Sequence, residues 1–247
     1  MRALAFLLAS VAATSGAAEP AVHYRRLCAS CHGDSGNGRG PAAPHVAGHP
    51  RDFTRGEYKF RSTPSGSLPL DADIERTIRR GVPGTSMPAW NDLPADDVRG
   101  LVSVLRSFSS RFTNEQPAAA IRVPAPPALD AALRDEGRRV WDLLRCAECH
   151  GSRGRGDGPA ARTLLDGTGR PIRPADFTVG VYKSGSNPAA VYRTFMTGLD
   201  GTPMPSYADT LADQRSRWAL VAYVLRLGRR PSVLDWLLDD PIVSRWR

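Results

Sequence analysis

Apolar residues recur at helical spacing in several segments of the chain. Between 129 and 146 the side chains of Leu133, Val140 and Leu144 fall near one helical face, and similar patterns occur elsewhere. The predicted helices are 129–146, 96–108 and 214–227, with shorter ones at 71–80 and 188–197. Glycine and proline separate these segments, and few stretches alternate in the way strands do. The pattern predicts an all-α fold with long ordered loops.

The two halves of the chain repeat one another piece by piece. The matching pieces are Gly-Pro-Ala-Ala at 40–43 and 158–161, Asp-Phe-Thr at 52–54 and 176–178, and Gly-Thr-x-Met-Pro at 84–88 and 201–205. The spacing between pieces differs slightly in the two halves, as expected where insertions fall in loops. The repeat therefore predicts a tandem duplication of one small module.

A proline-rich stretch separates the two copies and predicts an extended linker, because proline disfavours helix. The predicted domains are a signal peptide at 1–18, a first module at 19–115, a linker at 116–127, and a second module with a C-terminal tail at 128–247. Each module is small, so a bound prosthetic group is expected to contribute to its stability.

The first eighteen residues have the pattern of a secretory signal peptide, with Arg2 before an apolar stretch and small residues near 15–18. The apolar stretch is shorter than the roughly 20 residues that span a bilayer. No later segment is long and apolar enough to do so. We expect a protein exported to the periplasm, with no transmembrane anchor in the mature chain.

All four cysteines lie in two Cys-x-x-Cys-His runs, at 28–32 and 146–150. This spacing is typical of c-type haem attachment, in which both sulfurs form thioethers and the histidine ligates the iron. A zinc site or a redox dithiol is the alternative, but zinc sites usually pair clusters within about 12 to 20 residues, and no strand pattern surrounds either run. The sequence predicts two covalently bound haem c groups. The predicted thioether residues are Cys28, Cys31, Cys146 and Cys149, and the predicted axial ligands are His32 and His150.

The opposite axial position is predicted to be filled by a methionine in each module. Met87 and Met204 occupy equivalent positions in the repeated Gly-Thr-x-Met-Pro turn. Methionine is more often core filler, but the repeat and the turn favour ligation, which raises the reduction potential. Met196 lies on a predicted helix and is assigned to packing. Three histidines lack a histidine counterpart in the other half and are expected in surface or loop roles: His23, His45 and His49.

Each half resembles a class I cytochrome c module, and the pair resembles a diheme c-type cytochrome. The resemblance is carried by the Cys-x-x-Cys-His-Gly runs, the Gly-Pro turns and the Met-Pro loops. It implies two small helical folds, each wrapped around covalent haem. It also implies that the carbonyls of Pro41 and Pro159 accept a hydrogen bond from the proximal histidines, which would fix the imidazole tautomer.

These observations predict a periplasmic diheme cytochrome c that transfers single electrons between redox partners, with each haem His/Met ligated. It would be an electron carrier or an electron-transfer subunit, and its partners would be a membrane-bound respiratory complex or a periplasmic dehydrogenase. The net charge of +8 comes from scattered residues without a long basic run, which argues against nucleic acid as a partner. The alternative is a diheme peroxidase-type enzyme, which needs one open haem iron.

Overall fold

The computed structural model describes residues 20–228. The predicted signal peptide and the C-terminal tail beyond Arg230 lie outside the described residues. None of the described helices is long and apolar enough to cross a membrane.

Within residues 20–228 the chain is helical, without a β-strand, and the predicted all-α fold is confirmed. The first half contains α1 (Pro20–Leu27), α2 (Ala29–His32), α3 (Asp71–Arg80), α4 (Ala95–Ser107) and α5 (Arg111–Asn114), with a 3₁₀ turn at Ala43–His45. The second half contains α6 (Ala131–Leu143), α7 (Ala147–His150), α8 (Pro188–Thr197) and α9 (Gln214–Leu227), with a 3₁₀ turn at Phe177–Val179.

The predicted bounds of α3, α8 and α9 are confirmed at both ends, and those of α4 to within one residue. The prediction of one helix over 129–146 is wrong at its end, because α6 stops at Leu143. Arg145 there adopts a positive φ of 56°. The amide of Cys146 consequently donates to the carbonyl of Trp141, five residues back, at 3.1 Å. A hydrogen bond of this kind is typical of a helix C-terminus, and the chain changes direction there before α7 begins.

Side-chain caps explain where several helices begin. Asp130 accepts a hydrogen bond from the amide of Leu133 at the start of α6. Asn187 caps α8 through the amide of Ala189, and Pro188 occupies the first turn of that helix, where its missing N–H costs nothing.

Each half has its own apolar core, built where the helix that precedes the Cys-x-x-Cys-His run packs against the helix that follows the methionine turn. In the first half α1 packs against α4, and in the second half α6 packs against α9. The second crossing is especially close, since a methyl group on Gly137 would overlap the carbonyl oxygen of Ala219. The same pairing of helices in both halves places α2 and α7 at equivalent positions.

The segment that joins the halves contacts both of them. The amide of Ile121 donates to the carbonyl of Ser62 at 2.8 Å, and the amide of Ala118 donates to Ser67 Oγ at 2.9 Å. Ile121 and Val123 pack against the core of the second half. The segment is therefore extended, as its prolines predict, and it lies along the junction of the two halves.

Candidate haem sites

A single helical turn brings two thiols and an imidazole together in each half. The amide of His32 donates to the carbonyl of Cys28 at 2.9 Å in α2, and that of His150 donates to the carbonyl of Cys146 at 2.9 Å in α7. The four cysteines are half-buried and free of disulfide bonds. Burial raises the pKa of Cys28 and of Cys146 to about 11, so both are neutral thiols at pH 7.

The proximal imidazoles are held by backbone carbonyls, but not by those of the prolines. His32 Nδ1 lies 3.0 Å from the carbonyl oxygen of Arg51, and His150 Nδ1 lies 3.1 Å from that of Ala175. A carbonyl can only accept, so Nδ1 carries the proton and Nε2 is the nitrogen left for iron. The predicted hydrogen bonds to Pro41 and Pro159 are therefore wrong.

The reason for this difference is the path of the segment that follows each proline. The amide of Phe53 donates to the carbonyl of Gly36, and that of Phe177 donates to the carbonyl of Gly154, both at 2.7 Å. These bonds draw the repeated Asp-Phe-Thr segment across the haem motif. The residue two places before each phenylalanine then presents its carbonyl to the imidazole.

An aromatic ring covers each proximal histidine. Phe53 stacks on His32 at 4.5 Å between centroids, and Phe177 stacks on His150 at 4.6 Å. Within each segment the aspartate accepts hydrogen bonds from the threonine amide and hydroxyl, which closes the turn. The repeat of Asp-Phe-Thr was the sequence signal for this contact, although its role was not apparent from the sequence.

The two methionine turns are hydrogen-bonded identically. The amide of Met87 donates to Thr85 Oγ1 at 3.2 Å, and the amide of Met204 donates to Thr202 Oγ1 at 3.2 Å. Each threonine hydroxyl also donates at 2.7 Å to the carbonyl three residues earlier. Both methionines are half-buried. The two turns thus present Met87 and Met204 from the same arrangement of backbone hydrogen bonds.

The other sulfur and imidazole candidates are occupied elsewhere. Met196 is buried in the second core, which confirms its assignment to packing. His23 is buried on α1, with its Nδ1 3.6 Å from Asp97 Oδ1, so the surface role expected for it is wrong. The helix crossing of α1 and α4 encloses it.

The residues present fit a covalently bound haem. Each site offers two thiols for thioether bonds and an imidazole whose Nε2 is oriented by a hydrogen bond on Nδ1. Burial lowers the pKa of His32 and of His150, which keeps them in the neutral form that binds iron. Among the described residues, no group of three or more His, Cys, Asp or Glu side chains is arranged to hold a metal ion by itself.

Comparisons with known proteins agree with this geometry. The family described as cytochrome c oxidase, cbb3-type, subunit III matches residues 15–103 and again 132–224. Among solved structures, a chain of the reducing HAO-like protein complex of Kuenenia stuttgartiensis is 44% identical, with a TM-score of 0.83. The match covers 86% of this chain and 96% of that chain. A search of curated proteins found no match.

Proposed function

The chain belongs to the cytochrome c family of cbb3-type oxidase subunit III, and on this premise we propose that it is a periplasmic diheme cytochrome c that passes single electrons between redox partners. That it is a c-type cytochrome with covalent haem follows from the family. The number of haems, their ligands and the location are the proposal. The observation that carries it is the equivalence of the two sites, each with an anchored imidazole and a methionine turn.

We assign His32 and Met87 to the first iron and His150 and Met204 to the second. The carbonyls of Arg51 and Ala175 increase the donor strength of the imidazoles by accepting the Nδ1 proton. A thioether ligand from Met87 or Met204 would favour the reduced iron and raise its potential.

In this role the haem supplies a site that takes up and releases one electron, and the residues of the chain set its potential and environment. Phe53 and Phe177 cover one face of each proximal imidazole and favour its present ring orientation. The hydrogen-bonded turns hold Met87 and Met204 in place, so that little rearrangement accompanies a change of charge. Rigid sites of this kind suit electron transfer.

Two further observations support the cellular setting. The N-terminal eighteen residues have the pattern of an export signal, which supports a periplasmic location for the mature protein. The similar Kuenenia stuttgartiensis chain belongs to a protein complex. We therefore propose that this chain docks on a redox protein, either as a respiratory or dehydrogenase subunit or as a carrier that visits one.

Replacing the methionines one at a time tests the proposal. Met87→Ala is expected to lower the potential of one haem and to open its iron to carbon monoxide, because the thioether is lost. Met204→Ala is expected to do the same at the other haem. The measurement is a redox-titrated visible spectrum with and without carbon monoxide, and Met196→Leu serves as the matched control.

The unmodified protein distinguishes the proposal from the rival. Two haems per chain, both with the charge-transfer band of methionine-bound ferric iron, are expected. A high-spin haem that binds carbon monoxide in the unmodified protein would instead indicate a peroxidase-type enzyme with one open iron.

A further inference from the structure

The two halves contact each other through equivalent residues. Arg61 Nη2 donates to the carbonyl of Thr197 in the other half at 2.7 Å. The repeat counterparts of these residues, Gly185 and Arg80, also meet, since a methyl group on Gly185 would lie 2.7 Å from the Arg80 guanidinium. A contact between two residues of different halves thus recurs between their repeat counterparts, with the halves exchanged. Such a reciprocal pair of contacts is characteristic of a twofold axis.

A second pair of contacts obeys the same rule. Gly84 of the first methionine turn lies against Val181, with 3.1 Å between a methyl group placed on the glycine and Val181 Cγ1. Its counterpart Gly201, in the second methionine turn, lies against Glu57, the counterpart of Val181. The junction of the halves, which we call the seam, therefore relates the two haem sites by an approximate twofold axis.

A small cavity of about 20 Å³ opens on the seam and is lined by cations from both halves: Lys59, Arg61, Arg76 and Arg193. Two of these cations have carboxylate partners. Arg61 donates to Asp200 Oδ1, and Arg76 donates to Asp73 Oδ1, both at 2.7 Å. The cavity has room for about one water-sized group.

The other two cations form no close ion pair among residues 20–228, although Asp73 acts on Arg193 and Asp166 acts on Lys59 from a greater distance. Arg193 is the repeat counterpart of Arg76, but Ala190 stands where Asp73 would be, and the buried Arg193 Nε makes no hydrogen bond there. Burial, helped by Arg51 and Lys183, lowers the pKa of Lys59 to about 8. Two half-buried cations facing one cavity are unfavourable unless an anion joins them.

The position of Lys59 indicates where that anion comes from. Lys59 directly follows Tyr58, whose ring stacks on Phe53 at 5.9 Å, and Phe53 in turn stacks on His32. The cavity is too small for a free organic ligand, but it admits the end of a carboxylate carried by a group bound alongside. Haem carries such carboxylates on its propionate chains, and Arg and Lys are the residues that pair with them.

We propose that Lys59 of the first half and Arg193 of the second half bind a propionate carboxylate of the haem held by His32. The inference rests on the proposed function, since it requires that haem. It makes the first haem site dependent on the second half of the chain. The second haem lacks the equivalent pair, because Lys183 is exposed and Arg76 is already paired with Asp73.

The test measures potentials and carboxylate vibrations in the full-length diheme protein. Arg193→Gln and Lys59→Gln are expected to lower the potential of the first haem, because each leaves a propionate charge uncompensated. The size of each shift is judged against a tenfold change in the oxidised-to-reduced ratio of the first haem at fixed ambient potential. For one electron this change corresponds to about 59 mV. Redox-difference infrared spectra with ¹³C-labelled propionates are expected to shift in the same variants. Met87→Ala identifies the titration wave of the first haem.

Three variants sharpen the result. Ala190→Asp gives Arg193 the partner that Asp73 gives Arg76, and is expected to lower the potential as Arg193→Gln does. Arg193→Lys keeps the positive charge, so the potential of the first haem is expected to stay close to that of the unmodified protein. Arg215→Gln removes an exposed cation that pairs with Glu136 away from the seam, and is expected to change neither readout.

Several results would overturn the inference. The first is unchanged potentials and propionate bands in both Arg193→Gln and Lys59→Gln. The second is a change in the potential of the second haem alone. The third is a change in potential that appears in phosphate buffer and vanishes in chloride, which would indicate a free anion. If Arg193→Gln does not fold, Lys59→Gln decides. Haem content and methionine-ligation bands of the unmodified protein are recorded separately, so failure of the proposed function is distinguishable.

Discussion

In both halves a backbone carbonyl lies 3.0–3.1 Å from the proximal imidazole and a phenylalanine ring covers it at 4.5–4.6 Å. Away from the imidazole the halves diverge. Arg61 and Asp200 form a buried ion pair at the seam, whereas their repeat counterparts are Gly185 and Pro83. The contacts of His32 and His150 are thus duplicated faithfully, and the residues of the seam are not.

Under the diheme proposal, this difference shows where two similar haems would acquire different properties. The buried Tyr58 hydroxyl makes no hydrogen bond within residues 20–228, whereas Tyr182, its counterpart, donates to the carbonyl of Val224 at 2.8 Å. Asp73, with its partner Arg76, is likewise matched by Ala190. Such changes alter charge and polarity without disturbing the ligands. We expect the potentials of the two haems to be separated by these outer residues.

The largest effect is expected from breaking the ion pair between Arg61 and Asp200, whose repeat counterparts cannot form one. Asp200→Asn leaves Arg61, whose side chain is fully buried, without its carboxylate at 2.7 Å. Removing one member of a buried pair costs about 3–5 kcal/mol. Guanidinium unfolding of the haem-loaded protein measures the loss. Asp200 also accepts hydrogen bonds from Ser65 and Gly66, which the asparagine would weaken as well. A decrease in the free energy of unfolding below about 1 kcal/mol would show that the seam does not depend on this pair.

The helix crossings provide the next comparison. Gly137→Ala places a methyl group against the carbonyl of Ala219, backbone that cannot move aside, and is expected to cost about 1–3 kcal/mol or more. Gly100→Ala meets only the ring of Pro20 at 2.8 Å, at the beginning of α1, and is expected to cost less. Thermal unfolding of both variants checks the order, and equal losses would contradict it.

The aromatic covers are expected to behave alike. Phe53→Leu and Phe177→Leu each remove a ring stacked on a proximal histidine, a contact of about 0.5–1.5 kcal/mol beyond burial. Each variant is expected to change the potential and imidazole NMR shifts of its own haem. If one variant had no effect, the equivalence of the two proximal sites would be lost.

The smallest effect is expected at a helix start and depends on pH. Asp213 caps α9 by accepting the amide of Ser216 at 2.8 Å, which holds its pKa below the usual value, whereas α4 begins at Pro94 without a side-chain cap. The stabilisation is fully present above the unfolded-state pKa of 3.8 and is lost as pH falls through the folded-state pKa. Asp213→Ala should therefore lower the melting temperature more at pH 7 than at pH 2, while Asp209→Ala, at an exposed aspartate in a turn, serves as the control.

The repeat explains how much could be predicted from the sequence. Helices α3, α8 and α9, the haem motifs and the methionine turns follow from local spacing and from their recurrence. The contact of Arg61 with Asp200 could not be predicted, because it joins distant residues whose counterparts are glycine and proline. The proline hydrogen bonds were predicted wrongly because the path of the Asp-Phe-Thr loop depends on tertiary contacts.

The linker has a kinetic consequence. Its amides are hydrogen-bonded to the first half and its Ile121 and Val123 pack on the second, so it holds the halves at one fixed separation. A short tether alone gives an effective concentration on the order of millimolar, and docked surfaces raise it further. Under the diheme proposal, an electron that enters one half reaches the other in a first-order step, at a rate independent of how much protein the cell makes.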